Sequence, residues 1–376
     1  MRILFVLCSL AATCLAQAAP TQLNELWQLP TAAHMPQATI PDAQHRPFLY
    51  VALKTGGVGI FAWPKASIAP RLVATVPKQD LDGLDAMQLA IREDRLYVAL
   101  GDFFSASGSK AGVAVVDISR PQMPRVTASW ISEEVLKGSA AIAVDDQHVF
   151  LGMMSAGVGI FSWQGDKLEH LGTFQPEVNF PRPNPGKVQH PNARGFAING
   201  NHLFVAYDAG GIRVLDVADS SHPREIGRYV NAGMAAKQQA YNNLVISDNT
   251  LYAAIDYAGL EILDIRQPAK IRQIGWWNPW AADTLKNMWF NSPGHTNQLA
   301  FDPSRNLVYL SAGGSDLLVV DVHAPRQPRL VQTFGGPDDP RGTWGVTLTD
   351  NAIILTMLQA VVPFRGNWNG ITAVAR

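Results

Sequence analysis

The chain has 376 residues, of which 47% are hydrophobic and 16% charged, with 31 glycines, 25 prolines and a formal net charge of -1. Balanced charge without a basic block excludes a nucleic-acid partner held through its phosphates, and the glycine and proline content suits many short strands joined by tight turns. No segment is long and apolar enough to span a bilayer, which takes roughly 20 residues.

Residues 1–18 read as a signal peptide. Met1-Arg2 is a short positive n-region, residues 3–15 are an apolar h-region, and Ala16-Gln17-Ala18 is a small-x-small cleavage site followed by Ala19-Pro20. Cys8 and Cys14 both lie inside this segment, so the mature chain has no thiol and is held by its core without disulfides. Lipidation at Cys14 competes with cleavage, although Thr13 is bulkier than the small residue usual before a lipidated cysteine. The expected location is periplasmic or extracellular.

Residues 19–376 read as one domain of internal repeats. The phrase Gly57-Val-Gly-Ile-Phe61 returns as Gly112-Val-Ala-Val-Val-Asp117, Gly157-Val-Gly-Ile-Phe161, Gly211-Ile-Arg-Val-Leu-Asp216, Gly259-Leu-Glu-Ile-Leu-Asp264 and Asp316-Leu-Leu-Val-Val-Asp321. The starts are about 45–57 residues apart, the span of one four-stranded propeller blade. A β-rich strand precedes each phrase, as in Leu49-Tyr-Val-Ala-Leu53 and Leu203-Phe-Val-Ala206, and another follows, as in Arg71-Leu-Val-Ala-Thr75. One more apolar strand, such as Gln88-Leu-Ala-Ile91, lies ahead of each unit. No segment carries the period of a long amphipathic helix.

The chain ends complete the count. Val346-Thr-Leu348, Ile353-Ile-Leu355 and Gly370-Ile-Thr-Ala-Val374 are the first three strands of a further unit, and Asn24-Glu-Leu-Trp-Gln-Leu29 supplies its outer strand. The expected fold is therefore an all-β, seven-bladed β-propeller of four-stranded blades, closed by N- and C-terminal strands in one blade. Closure removes an edge that would otherwise invite strand pairing between molecules. Six blades result if one unit is misread.

The phrase Gly211-Ile-Arg-Val-Leu-Asp-Val217 with Ser221-His-Pro-Arg224, and Leu318-Val-Val-Asp-Val322 with Gln327-Pro-Arg329, resemble the LVIVD-repeat family of bacterial propellers. The resemblance covers nearly the whole mature chain; it implies a propeller and leaves activity open. Two units depart from it, with Ala62-Trp63 and Ser162-Trp163 where the motif has Asp. Asp117, Asp216, Asp264 and Asp321 precede Pro-containing turns and are expected to accept backbone N–H bonds there. The Pro-Arg pairs at Pro124-Arg125 and Pro328-Arg329 are expected to be solvated.

Function is sought in the long loops on the face where inner strands begin: 101–112, 175–194, 278–294 and 358–370. Trp280, Trp289, Trp344 and Trp368, with Arg194, are candidate ligand-binding residues there. An aromatic wall either stacks on a protein, peptide or glycan ligand or plugs the mouth. Aligning the inner strands places His34, Asp85, Asn192 and His295 at equivalent positions, with His190 nearby, while Lys54, Asp208 and Asp256 add charge. His34, Asp85, His190 and His295 are candidate ligands for one divalent transition metal, the cofactor such a set would hold. Two functions follow: a non-catalytic binding propeller, or a hydrolase, lyase or oxidoreductase with its site at the tunnel mouth, possible with or without metal. No phosphate-cradling loop, nucleophile elbow or paired-cysteine metal motif is present.

Overall fold

A continuous apolar run such as Leu203-Phe-Val-Ala206 needs a neighbour on both faces of its sheet, and the protein meets that need by setting its sheets radially around an axis. The computed structural model describes residues 18–164, 167–181, 191–284, 286–287, 291–312, 316–336, 339, 341–359 and 368–376. The proposed leader lies almost entirely outside them. Seven antiparallel sheets run in chain order: blades one to six cover residues 38–76, 86–131, 141–174, 195–229, 241–277 and 296–334. Blade seven combines Thr343–Leu348, Ala352–Met357 and Gly370–Ala375 with the N-terminal strand Glu25–Pro30 on its outer edge. Each inner strand lies beside the inner strand of the next blade, and the contact between blades seven and one closes the ring. Among the described residues, helix is confined to short 3₁₀ turns, and none is long and apolar enough to cross a membrane.

Packing follows from strand alternation. In blade four, Leu203 and Val205 join the cluster shared with blade three, while Phe204 and Ala206 join the one shared with blade five. Leu49 and Val51 likewise face blade seven, and Tyr50 and Ala52 face blade two. The buried apolar side chains so described form seven clusters, one at each blade interface.

The third and fourth strands of every blade are joined through a register shift. Such bulges bend the outer strand and increase its twist. The glycine opening the phrase is required by geometry at Gly211, which sits at φ 78° with a Cβ position only 2.2 Å from the Tyr229 carbonyl oxygen.

The motif aspartates do what their local sequence predicts. Asp117, Asp216, Asp264 and Asp321 each accept the backbone N–H two residues on, at 2.9, 3.1, 3.0 and 2.9 Å. Arg224 and Arg329 reach back to Asp216 and Asp321 at 2.8 and 2.9 Å, so they are solvated but paired. In the two departing blades, the backbone N–H groups of Trp63 and Trp163 donate to the carbonyls of Pro47 and Gln147 at 2.7 Å each. Val217 makes the equivalent bond to Asn201 in a regular blade. The tryptophan rings pack edge-on against the preceding blade, Trp63 on Trp27 and Trp163 on Tyr97, both at 5.9 Å.

Candidate functional site

Short turns clamp neighbouring blades at the face where the inner strands begin. In blades one, three and four the turn between second and third strands holds one non-glycine residue at positive φ: Lys54, Met154 and Asp208. Each bridges the next blade, to Ala86, Ala193 and Tyr241 respectively. Blade two breaks this rule. Its residues 101–111 form a longer loop that carries Phe103 and Phe104 across the tunnel mouth.

That loop is pinned rather than loose. Asp102 Oδ1 accepts the Phe104 N–H at 2.9 Å, the Asp102 N–H donates to Ser109 Oγ at 3.1 Å, and Lys54 pairs with Asp102 at 3.0 Å. Phe103 and Phe104 lie 4.2 Å apart, and Trp344 of blade seven meets them at 6.0 and 5.2 Å. From the entry to blade four, the Arg194 guanidinium sits 5.2 Å from the Phe103 ring and 5.8 Å from the Trp344 ring. Lys54 Nζ lies 5.5 Å from the Phe104 ring. Blades one, two, four and seven thus meet in one cation–aromatic stack, in which each such contact is worth about 0.5–2 kcal/mol depending on solvation. Trp344 is buried, whereas Phe103, Phe104 and Arg194 keep part of their surface in solvent.

Beneath the stack the tunnel narrows to a cavity of about 10 Å³, room for one water. Its polar lining is Arg194 with Gln88, Asn242, Asn243, Asn297 and Gln298. Asn297 ties the lining to the stack, accepting from Arg194 Nη2 at 3.4 Å and donating to the Trp344 carbonyl at 2.7 Å. The aromatic wall therefore plugs the mouth, and what it offers a ligand is its outer surface.

The sequence candidates divide. Trp344 and Arg194 come together in the stack. Trp280 lies edge-on to Trp277 at 6.1 Å and against Gly294, and Trp368 lies against Gly370. Trp280 therefore packs at the joint of blades five and six, and Trp368 at that of blades six and seven. Trp289 and His190 lie outside the described residues. His34 is exposed and bonds Thr55 Oγ1 at 3.2 Å, Asp85 pairs with Lys78 at 2.6 Å, and His295 Nδ1 lies 2.6 Å from Asp256 Oδ1. Asn192 donates to Asp208 at 3.1 Å. Each of these four side chains, which lie in inter-blade loops, thus has a partner close by. Among the described residues no group of three His, Cys, Asp or Glu is placed to hold a metal ion.

Two features of this face escaped the sequence reading. One is the lining of amides, signalled by Gln88, Asn243 and Gln298 recurring at equivalent inner-strand starts. The other is Lys237, which donates to the carbonyls of Ala282 at 2.6 Å, Thr284 at 2.8 Å and Asn287, tying the loop after blade five onto the ring. Burial there pulls its ammonium below the usual lysine range.

Residues 192–231, blade four with its flanking residues, match the family model described as LVIVD repeat. No curated protein matches the chain. Among solved structures, the RRP9 WD40 repeats are similar with a TM-score of 0.65 at 10% identity, covering 95% of this chain and 99% of that one. The C-terminal WD40 domain of Sif2 is similar with a TM-score of 0.61 at 8% identity, over 96% and 99%. The computationally designed Ika8 protein follows with a TM-score of 0.54 at 13% identity, over 91% and 83%. At these identities the likeness is one of fold.

Proposed function

We propose that this propeller, with its LVIVD repeat in blade four, is an exported binding protein that captures a protein, peptide or glycan on the plugged face of the ring. The observation that carries the reading is the stack of Phe103, Phe104, Trp344 and Arg194. It presents two partly exposed aromatic rings, flanked by two cations, at the centre of a face built from pinned loops. Aromatic residues, phenylalanine included, and arginine are enriched at protein interfaces. The small cavity beneath the plug favours contact on its outer surface. Export is supported by the n-region, h-region and small-x-small order of residues 1–18.

Peptide and glycan arrays probed with residues 19–376 test this reading. Specific binders are expected whose affinity falls at least about tenfold in a Phe103→Ala/Phe104→Ala variant that keeps its unfolding midpoint, a loss of about 1.4 kcal/mol or more. Binders that ignore the double substitution would place recognition elsewhere on the ring and overturn it.

A further inference from the structure

The amides lining the cavity under the plug are not oriented at random. Gln88 Oε1 accepts the Leu89 N–H at 2.9 Å, and Asn243 Oδ1 accepts the Leu299 N–H at 3.4 Å. Backbone donors therefore settle which end of each amide is oxygen. The Gln88 and Asn243 NH2 groups are left with no acceptor among the described residues. Asn242 and Asn297 differ, donating instead to the carbonyls of Thr296 and Trp344 at 3.0 and 2.7 Å.

Arg194 adds a full positive charge to the same lining. Among the described residues its contacts are the two aromatic rings and the 3.4 Å bond to Asn297, and no carboxylate pairs with it. No acidic side chain among the described residues lines the cavity. A partly exposed guanidinium facing a small cavity, with no carboxylate beside it among the described residues, leaves its charge uncompensated on that side, and unused N–H donors beside it complete the chemistry of an anion site.

We propose that this cavity binds one small monovalent anion of chloride or bromide size, held by Arg194, Gln88 and Asn243 beneath the Phe103–Trp344 stack. The anion neutralises Arg194 and thereby fixes the guanidinium under the aromatic rings. The volume admits a single water-sized particle and excludes an organic anion while the plug is closed. Asn242 and Gln298 each retain an amide oxygen with no partner among the described residues, so water is the competing occupant. This inference does not depend on partner capture: the array result stands or falls separately.

Crystals of residues 19–376 grown in sodium bromide test it through anomalous scattering at the bromine edge. The expected result is a bromide peak within hydrogen-bond distance of the Arg194 guanidinium and the Gln88 amide nitrogen. Water at that position, with bromide confined to the outer surface, overturns the proposal. In solution, replacing gluconate by chloride at constant ionic strength is expected to raise the unfolding midpoint of the wild-type protein. The rise disappears in Arg194→Gln and in Gln88→Met, the second of which leaves the stack's side chains in place. An equal rise in all three proteins overturns the proposal.

Discussion

Two charged side chains interrupt the apolar repeat phrase at the same place, two residues after its glycine: Arg213 in blade four and Glu261 in blade five. Both are fully buried. Arg213 is compensated, pairing with Glu225 at 3.0 Å and donating to the carbonyls of Gly210 and Glu177 at 2.8 and 2.7 Å. Glu261 accepts from Gln273, Tyr229 and Tyr241 at 2.6, 3.0 and 2.5 Å, with no cation among its described partners. Burial pushes its carboxyl up from 4.5 to about 7, against the lowering effect of those donors and of Asn231. A raised carboxyl makes the native state hold its proton while the unfolded chain has released it. This contribution to stability is therefore full below about pH 4.5 and is lost as the pH rises to about 7. Glu261→Gln is expected to flatten the fall in unfolding free energy between pH 4.5 and 7 by about 3 kcal/mol, read by urea denaturation across pH. An unchanged profile would contradict this. At this scale legibility depended on range. The aspartates were readable because each acts on the N–H two residues away. Glu261 was not, because Tyr229 and Tyr241 reach it from other strands, and His295 was not, because Asp256 meets it across 39 residues.

The N-terminal strands close the ring in two steps. Thr21–Gln22 pairs parallel to the outer strand of blade six, with Thr21 opposite Gln332. Glu25–Pro30 then pairs antiparallel to Gly370–Ala375 of blade seven. Trp27 extends the closure to blade one: its ring is buried against Trp63, and its Nε1 donates to the Ala66 carbonyl at 2.7 Å. Trp27→Ala is expected to cost about 3–5 kcal/mol in denaturant unfolding, more than a substitution on one blade face alone, since it loosens the joint that holds the ring shut. Deleting residues 19–30 would bare the outer edges of blades six and seven, and size-exclusion chromatography should then show oligomers. A monomer of unchanged stability would contradict the role given to these strands. The blade-seven strand was legible because residues 24–29 resemble the outer strand 329–334. The two-residue strand before it is too short to carry any periodicity.

For the whole molecule, the architecture was readable because a repeat states its rule several times, and seven interfaces with one apolar cluster apiece satisfy it. The plug was not readable in the same way. Which blades a long loop reaches is decided by ring geometry, so Phe103 could be named as aromatic while its meeting with Trp344 and Arg194, from blades distant in sequence, could not. Cleavage after Ala18 predicts that protein recovered from the periplasm or medium begins at Ala19 on N-terminal sequencing; a cytoplasmic protein retaining Met1 would contradict export. The central claim is that the plugged face is the binding face, and hydrogen exchange tests it most directly. With the tightest array binder added to residues 19–376, the claim predicts slowed exchange in segments 101–111 and 191–195. Slowing confined to the opposite face, at turns such as 42–47 and 217–223, with 101–111 unchanged, would contradict it.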